Sequence, residues 1–116
     1  MIPDYIVFLE HILNSIQRIS LFTKGISKNT FLKKEMVQSA VIRELEIIGE
    51  AVKNIPPDVT AKYPEIPWKK IAGMRDKLIH NYFGVDFELT YDIIEKDVPA
   101  LKEQIVKIIK ELKKAS

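Results

Sequence analysis

Apolar side chains recur every three or four positions along almost the whole chain. Ile6, Leu9, Leu13, Ile16 and Ile19 form one stripe, which predicts an amphipathic helix. Gly25 lies just beyond Thr23-Lys24 and supplies a stop, and Ser27 supplies the N-cap of a second helix. That second helix is expected over about residues 28–54, where Val37, Ala40, Val41, Ile48, Ala51, Val52 and Ile55 share a face. Leu45 and Ile47 widen the face, which predicts a central position. Gly49 inside it costs about 1 kcal/mol relative to alanine. It marks either a tolerated weak spot or the close approach of another helix or a ligand. Pro56-Pro57 ends the helix, and residues 56–67 carry four prolines and no periodicity. They read as a loop held by Tyr63 and Trp68 at its ends. A third helix is expected over residues 67–83, closed by Gly84. A fourth follows from Asp86 as cap over residues 87–96, and Asp97 with Pro99 opens a fifth from Leu101 to Leu112. In the fifth, Leu101, Ile105, Ile108, Ile109 and Leu112 line one face and lysines take the other, which reads as a solvated face. No hairpin signal interrupts this pattern. The expectation is an all-α bundle of four to five helices in a single domain spanning residues 1–116.

Composition narrows the chemistry. The chain has 116 residues and no cysteine, which excludes disulfide frameworks, thiol catalysis and zinc fingers. Two histidines do not make a His-rich metal site, and no cofactor is implied. The formal charge of +2 neither requires nor excludes a nucleic-acid partner. Asp4, Glu10 and His11 interrupt the first apolar run, so it does not read as a signal peptide. No stretch of about 18 apolar residues exists to span a membrane. A soluble cytoplasmic protein is the expectation.

The third helix carries an anomaly. On a wheel, Trp68, Ile71, Ala72, Ile79 and Tyr82 cluster within roughly 60°, and Arg75 falls in their middle. A buried unpaired guanidinium is expensive. Three explanations stand side by side. The stem is buried while the head reaches water, or a carboxylate pairs with it in the core, or an anion such as phosphate meets it in a cleft. Glu44 lies inside its own helix's apolar stripe, and Glu46 and Glu50 flank it. His80 lies about 140° from Arg75 around the ideal helix, whereas Asp76 shares the histidine's face and is within reach to orient its ring.

The segment Arg75-Asp76-Lys77-Leu78-Ile79-His80-Asn81-Tyr82 resembles the R-x4-H-x-Y signature of HepT-like toxins, a branch of the HEPN superfamily of helical ribonucleases. Glu46-Ile47-Ile48-Gly49-Glu50-Ala51 is similar to that family's IGEA segment. Ile66-Pro67-Trp68 and Gly73-Met74-Arg75 resemble its lead-in, and Val85-Asp86 resembles the stretch after the signature. The resemblance covers roughly residues 35–100. It implies a homodimer whose signature helices meet, an RNA substrate, and a partner: an MntA-like nucleotidyltransferase antitoxin that transfers AMP to the signature tyrosine, here Tyr82.

On that footing, metal-independent cleavage uses the RNA's own 2′-OH. It needs a group to move a proton and a cation to stabilise the phosphorane. His80 fits the first role and Arg75 the second. Asn81 is a candidate hydrogen-bond donor to phosphate or sugar. Lys69, Lys70 and Lys77 are candidate contacts to the RNA backbone, and neutralising Lys69 and Lys77 together should weaken RNA binding and flatten its salt dependence. Tyr82 is a modification acceptor in this reading and not a catalyst. The alternative is a non-catalytic, nucleotide-binding partner subunit of a nucleotidyltransferase. A plain helical scaffold with a core Arg–Glu pair is the third reading.

Overall fold

The computed structural model describes residues 3–80 and 84–115, with His80 described by its backbone alone. Residues 1–2, 81–83 and 116 lie outside the described residues. The long apolar stripes become helices packed on one another around a single core. Helix α1 (Ile6–Thr23) buries Leu9, Ile12, Ile16 and Ile19 against α3 (Glu35–Lys53), which answers with Val41, Leu45, Ile48 and Val52. Helix α8 (Val98–Ala115) closes the core with Leu101, Ile105 and Ile108. Three-to-four spacing places these side chains on one face each, although Val7, Leu21 and Phe22 of α1 and Met36 of α3 stay exposed. Among the described residues the chain is all-α apart from one two-residue strand pair.

Between α1 and α3 the chain turns at Gly25, whose φ of +70° lies in the left-handed region that favours glycine. Ser27 caps α2 (Lys28–Phe31) as expected, its Oγ accepting from the Thr30 amide at 3.2 Å. The expected helix over 28–54 is divided, however. Residues 32–34 separate α2 from α3, and the buried Gln38 amide donates to the Phe31 carbonyl at 2.9 Å. That bond satisfies a helix-end carbonyl that a continuous helix would have used internally. Phe31 packs against Phe87 and Tyr91.

The proline-rich loop contains one helical turn, α4 (Pro57–Thr60), and is tied down by Trp68 Nε1 donating to the Tyr63 carbonyl at 3.0 Å. The third helix departs most from expectation. It forms as two short pieces, α5 (Trp68–Ala72) and α6 (Met74–Leu78), which meet at Gly73. It ends at Leu78 and not at residue 83. Ile79 turns to extended backbone, and β1 (Ile79–His80) pairs antiparallel with β2 (Gly84–Val85). A β-branched residue accepts that geometry readily, and Gly84, at φ +78°, admits the left-handed turn.

Asp86 then locks the segment. Its amide donates to the Leu78 carbonyl at 2.9 Å, and its carboxylate accepts from the Leu89 amide at 3.0 Å, capping α7 (Phe87–Asp92). The expected break between the fourth and fifth helices is absent. Helix α7 runs through a π turn (Ile93–Asp97) straight into α8. Pro99 lies in the first turn of α8, and the widened turn before it relieves the clash a proline ring makes with the preceding helical turn. Among the described residues, no helix is long and apolar enough to cross a membrane.

Candidate functional site

Gly49 positions the site. A Cβ there would lie 3.3 Å from the Ile71 carbonyl and 3.5 Å from that of Ala72. The absence of a side chain therefore lets α5 lie directly on α3. The close-approach reading of Gly49 holds, and it brings the start of α6 beside the outer face of α3.

Arg75 sits at that junction. Its Nε is 3.5 Å from Glu46 Oε2, and its Nη1 is 3.9 Å from Asp76 Oδ1. The side chain is 60% exposed, so the expectation of an arginine in the middle of a buried stripe is corrected. The wheel assumed one helix through residue 83. The junction at Gly73 and the stop at Leu78 remove that phase relation. Of the three explanations, pairing with a carboxylate is seen, but at the surface and with Glu46. Glu44 is instead held by Arg18 at 3.3 Å. An exposed ion pair of this length contributes about 0–1 kcal/mol, so an arriving phosphate can displace the carboxylate.

The depression around Arg75, about 270 Å³, is lined by Glu46, Gly49, Glu50, Lys53, Ala72, Arg75 and Asp76. Across the ridge made by Glu46 and Glu50, a second depression of about 330 Å³ includes His11, Arg43 and Asn54. The basic side chains Lys53 and Arg43 and the imidazole of His11 were not singled out by the sequence patterns. Arg43, Glu46 and Glu50 do stand at helical spacing on α3, which is the one sequence signal that groups them.

The remaining candidates divide clearly. Asp76 is exposed and reaches toward Arg75. Its expected i, i+4 relation to His80 does not exist, because α6 ends between them. The His80 backbone pairs with Gly84 at the end of α6. The His80 side chain, Asn81 and Tyr82 lie outside the described residues. Lys69 is exposed on α5 and lines neither depression, while Lys77 lines a separate cavity on the other side of α6. The structure therefore does not gather Lys69 and Lys77 around Arg75; Lys53 is the lysine it brings there. Among the described residues, no group of three His, Asp or Glu side chains is arranged to hold a metal ion.

Among the described residues, the two clear proton-affinity shifts lie elsewhere. Burial, reinforced by a 2.9 Å hydrogen bond from its hydroxyl to Glu111, pushes Tyr63 up to about 12. Burial, with Glu95 nearby, raises Tyr91.

The family described as “Ribonuclease HepT-like” matches residues 12–108. A Methanocaldococcus jannaschii protein named “Gamma-glutamylcyclotransferase and putative RNase” is 50% identical over 114 residues. That match takes in 98% of this chain but only 51% of the relative, so the chain spans about half of that protein's length. A second protein of that organism, named “Putative RNase”, is 48% identical over 94% of this chain and 90% of its own length. “Probable ribonuclease HepT” from Thermococcus cleftensis is 50% identical over 89% of this chain and 94% of its own. No solved structure matches the chain.

Proposed function

We propose that this chain, which belongs to the HepT-like ribonuclease family, is a metal-independent endoribonuclease with Arg75 and His80 as its catalytic residues. The observation that carries the reading is the Arg75 guanidinium. It is exposed at the lip of a depression and restrained by a pair weak enough for a phosphate to replace. A planar fork of donors suits the non-bridging oxygens of a phosphodiester and the charge that builds on them.

In this mechanism the 2′-oxygen attacks phosphorus and the bond to the 5′-oxygen breaks. One group takes the 2′-OH proton and one gives a proton to the departing 5′-oxygen. His80 moves one of these protons, since the unperturbed imidazole of histidine, with a pKa of about 6.5, both takes and gives protons close to neutrality. The products are a 2′,3′-cyclic phosphate and a 5′-OH. Asn81 supports the phosphate or sugar from the same segment.

The biological setting we propose is a toxin–antitoxin pair of the type VII kind, acting in the cytoplasm. The toxin is a homodimer, and its partner is an MntA-like nucleotidyltransferase antitoxin. The antitoxin joins the α-phosphorus of ATP to the Tyr82 oxygen with loss of pyrophosphate. The adenylyl group adds bulk and negative charge two residues along the chain from His80 and blocks RNA.

The test is cleavage of single-stranded RNA in excess EDTA by protein whose intact mass shows Tyr82 unmodified. His80→Ala and Arg75→Ala should each lower the rate by about a hundredfold or more. Arg75→Ala should keep the stability of the parent within about 0.5 kcal/mol, as exposed substitutions do. No cleavage of several RNAs by the unmodified protein would favour the non-catalytic partner subunit instead.

A further inference from the structure

A third cavity lies on the opposite side of α6 from Arg75 and plays no part in the reaction as described. Its volume is about 270 Å³, just under the usual range of about 300–1,000 Å³ for larger ligands. Its floor is apolar: Ile71, Met74, Ile93, Val98 and Leu101, each keeping 5–9% of its surface open. Five polar side chains stand among its lining residues: Glu65, Lys70, Lys77, Asp97 and Gln104. None of the five makes a side-chain hydrogen bond or ion pair with another described residue.

The charges select the occupant by elimination. Two lysines and two carboxylates cancel, so the rim favours neither a free anion nor a free cation. An apolar floor beneath unpartnered donors and acceptors suits a neutral, flat heterocycle with polar edges. Carboxylates accept from exocyclic amines, lysines donate to ring carbonyls, and an amide does both, which is how base edges are read. Single-stranded RNA offers such groups, because its unstacked bases splay outward into protein pockets. The pocket and Arg75 are separated by the thickness of α6, about 10 Å. A nucleotide flanking the cleaved bond can cover that distance.

We infer that this cavity is the base-recognition pocket of the enzyme, seating one unstacked RNA base beside the scissile phosphate and setting the cleavage sequence. The inference rests on the ribonuclease reading, and the experiment separates the two. Ala100 is exposed at the pocket's edge, so Ala100→Trp fills the pocket from outside the core. Cleavage ends are sequenced from a randomised single-stranded RNA pool. The parent should show a preference of about tenfold or more for one base at one fixed position from the cut. Ala100→Trp and Gln104→Ala should reduce that preference to less than about a third while RNA is still cut. In parallel, adenosine, guanosine, cytidine and uridine are titrated into the labelled protein. One of them should shift the amide signals of Ile71, Met74 and Leu101 in the parent but not in Ala100→Trp.

Nucleoside shifts that Ala100→Trp abolishes, with no cleavage by the parent, support the pocket and overturn the ribonuclease reading. Cleavage with an unaltered base preference in Ala100→Trp, and no nucleoside shifts, overturns the pocket. An Ala100→Trp variant that loses self-association while keeping its base preference overturns it too, in favour of a protein contact.

Discussion

Helices α1 and α3 differ in kind from the segment α5–α6–β1–β2, although both contribute to one core. In the first pair, whole stripes of Leu and Ile are fully buried, and each helix runs 18 or 19 residues. In the second, two five-residue helices and a two-residue strand follow one another. Helices that short are not stable by themselves. They are held by particular backbone contacts: α5 by the gap at Gly49, the Trp68 bond to Tyr63, and the far end by Asp86. Area burial supplies the stability, and a few precise contacts supply the position of Arg75.

Substitutions in the two regions should separate these roles. The largest effect is expected at Leu9, fully buried in α1, where Leu9→Ala should cost about 2–5 kcal/mol in denaturant unfolding. A smaller loss there would mean that the long pair is not the main stabilising layer. Gly49→Val comes next. The added carbons meet the α5 carbonyls, costing about 1–3 kcal/mol, and displace Arg75 from Glu46. RNA cleavage should fall by more than the stability loss explains; unchanged cleavage would show that α5 need not touch α3. Asp86→Ala should cost about 1 kcal/mol through the lost cap, measured as a fall in unfolding midpoint. Amide exchange should accelerate first at Leu89, leaving α1 unaffected.

The smallest effect concerns pH. The fold favours the protonated Tyr63, whose usual value of 10.0 rises to about 12. Its contribution is therefore fully present below about pH 10 and is lost as the pH rises through about 12. Tyr63→Phe should flatten that decline in unfolding midpoint; an identical decline would assign it to other groups.

The same contrast explains what could be read from the sequence. Helix α1, the Ser27 and Asp86 caps and the apolar face of α8 were legible, because each depends on local spacing or on one side chain and its neighbours. The extent of the third helix was not. A wheel counts angles but does not register a stop, so it carried Tyr82 and His80 onto a helix that ends at Leu78. Arg75 stood out by residue type alone, whereas its partner did not. Glu44 inside the apolar stripe of its helix and Glu46 beside it were both open as partners, and the register of α5 on Gly49 selects the latter. Arg43 and Lys53 share helical spacing with Glu46 and Glu50 on α3, whereas His11 joins them only through the packing of α1 on α3, which no single segment encodes.

The π turn at Ile93–Asp97 gives the second half of the chain an unusual kind of tolerance. Thr90, Ile94 and Val98 are all buried at successive intervals of four, a spacing that drifts by about 40° per step on an ordinary helix. The wide turn absorbs the drift, so it works as a gear between α7 and α8. Excising one residue within it would restore a regular helix and leave the turns on either side nearly in their present phase, because a π turn takes up an extra residue locally. The chain's length there is thus adjustable by one residue without re-aiming the hairpin that precedes α7.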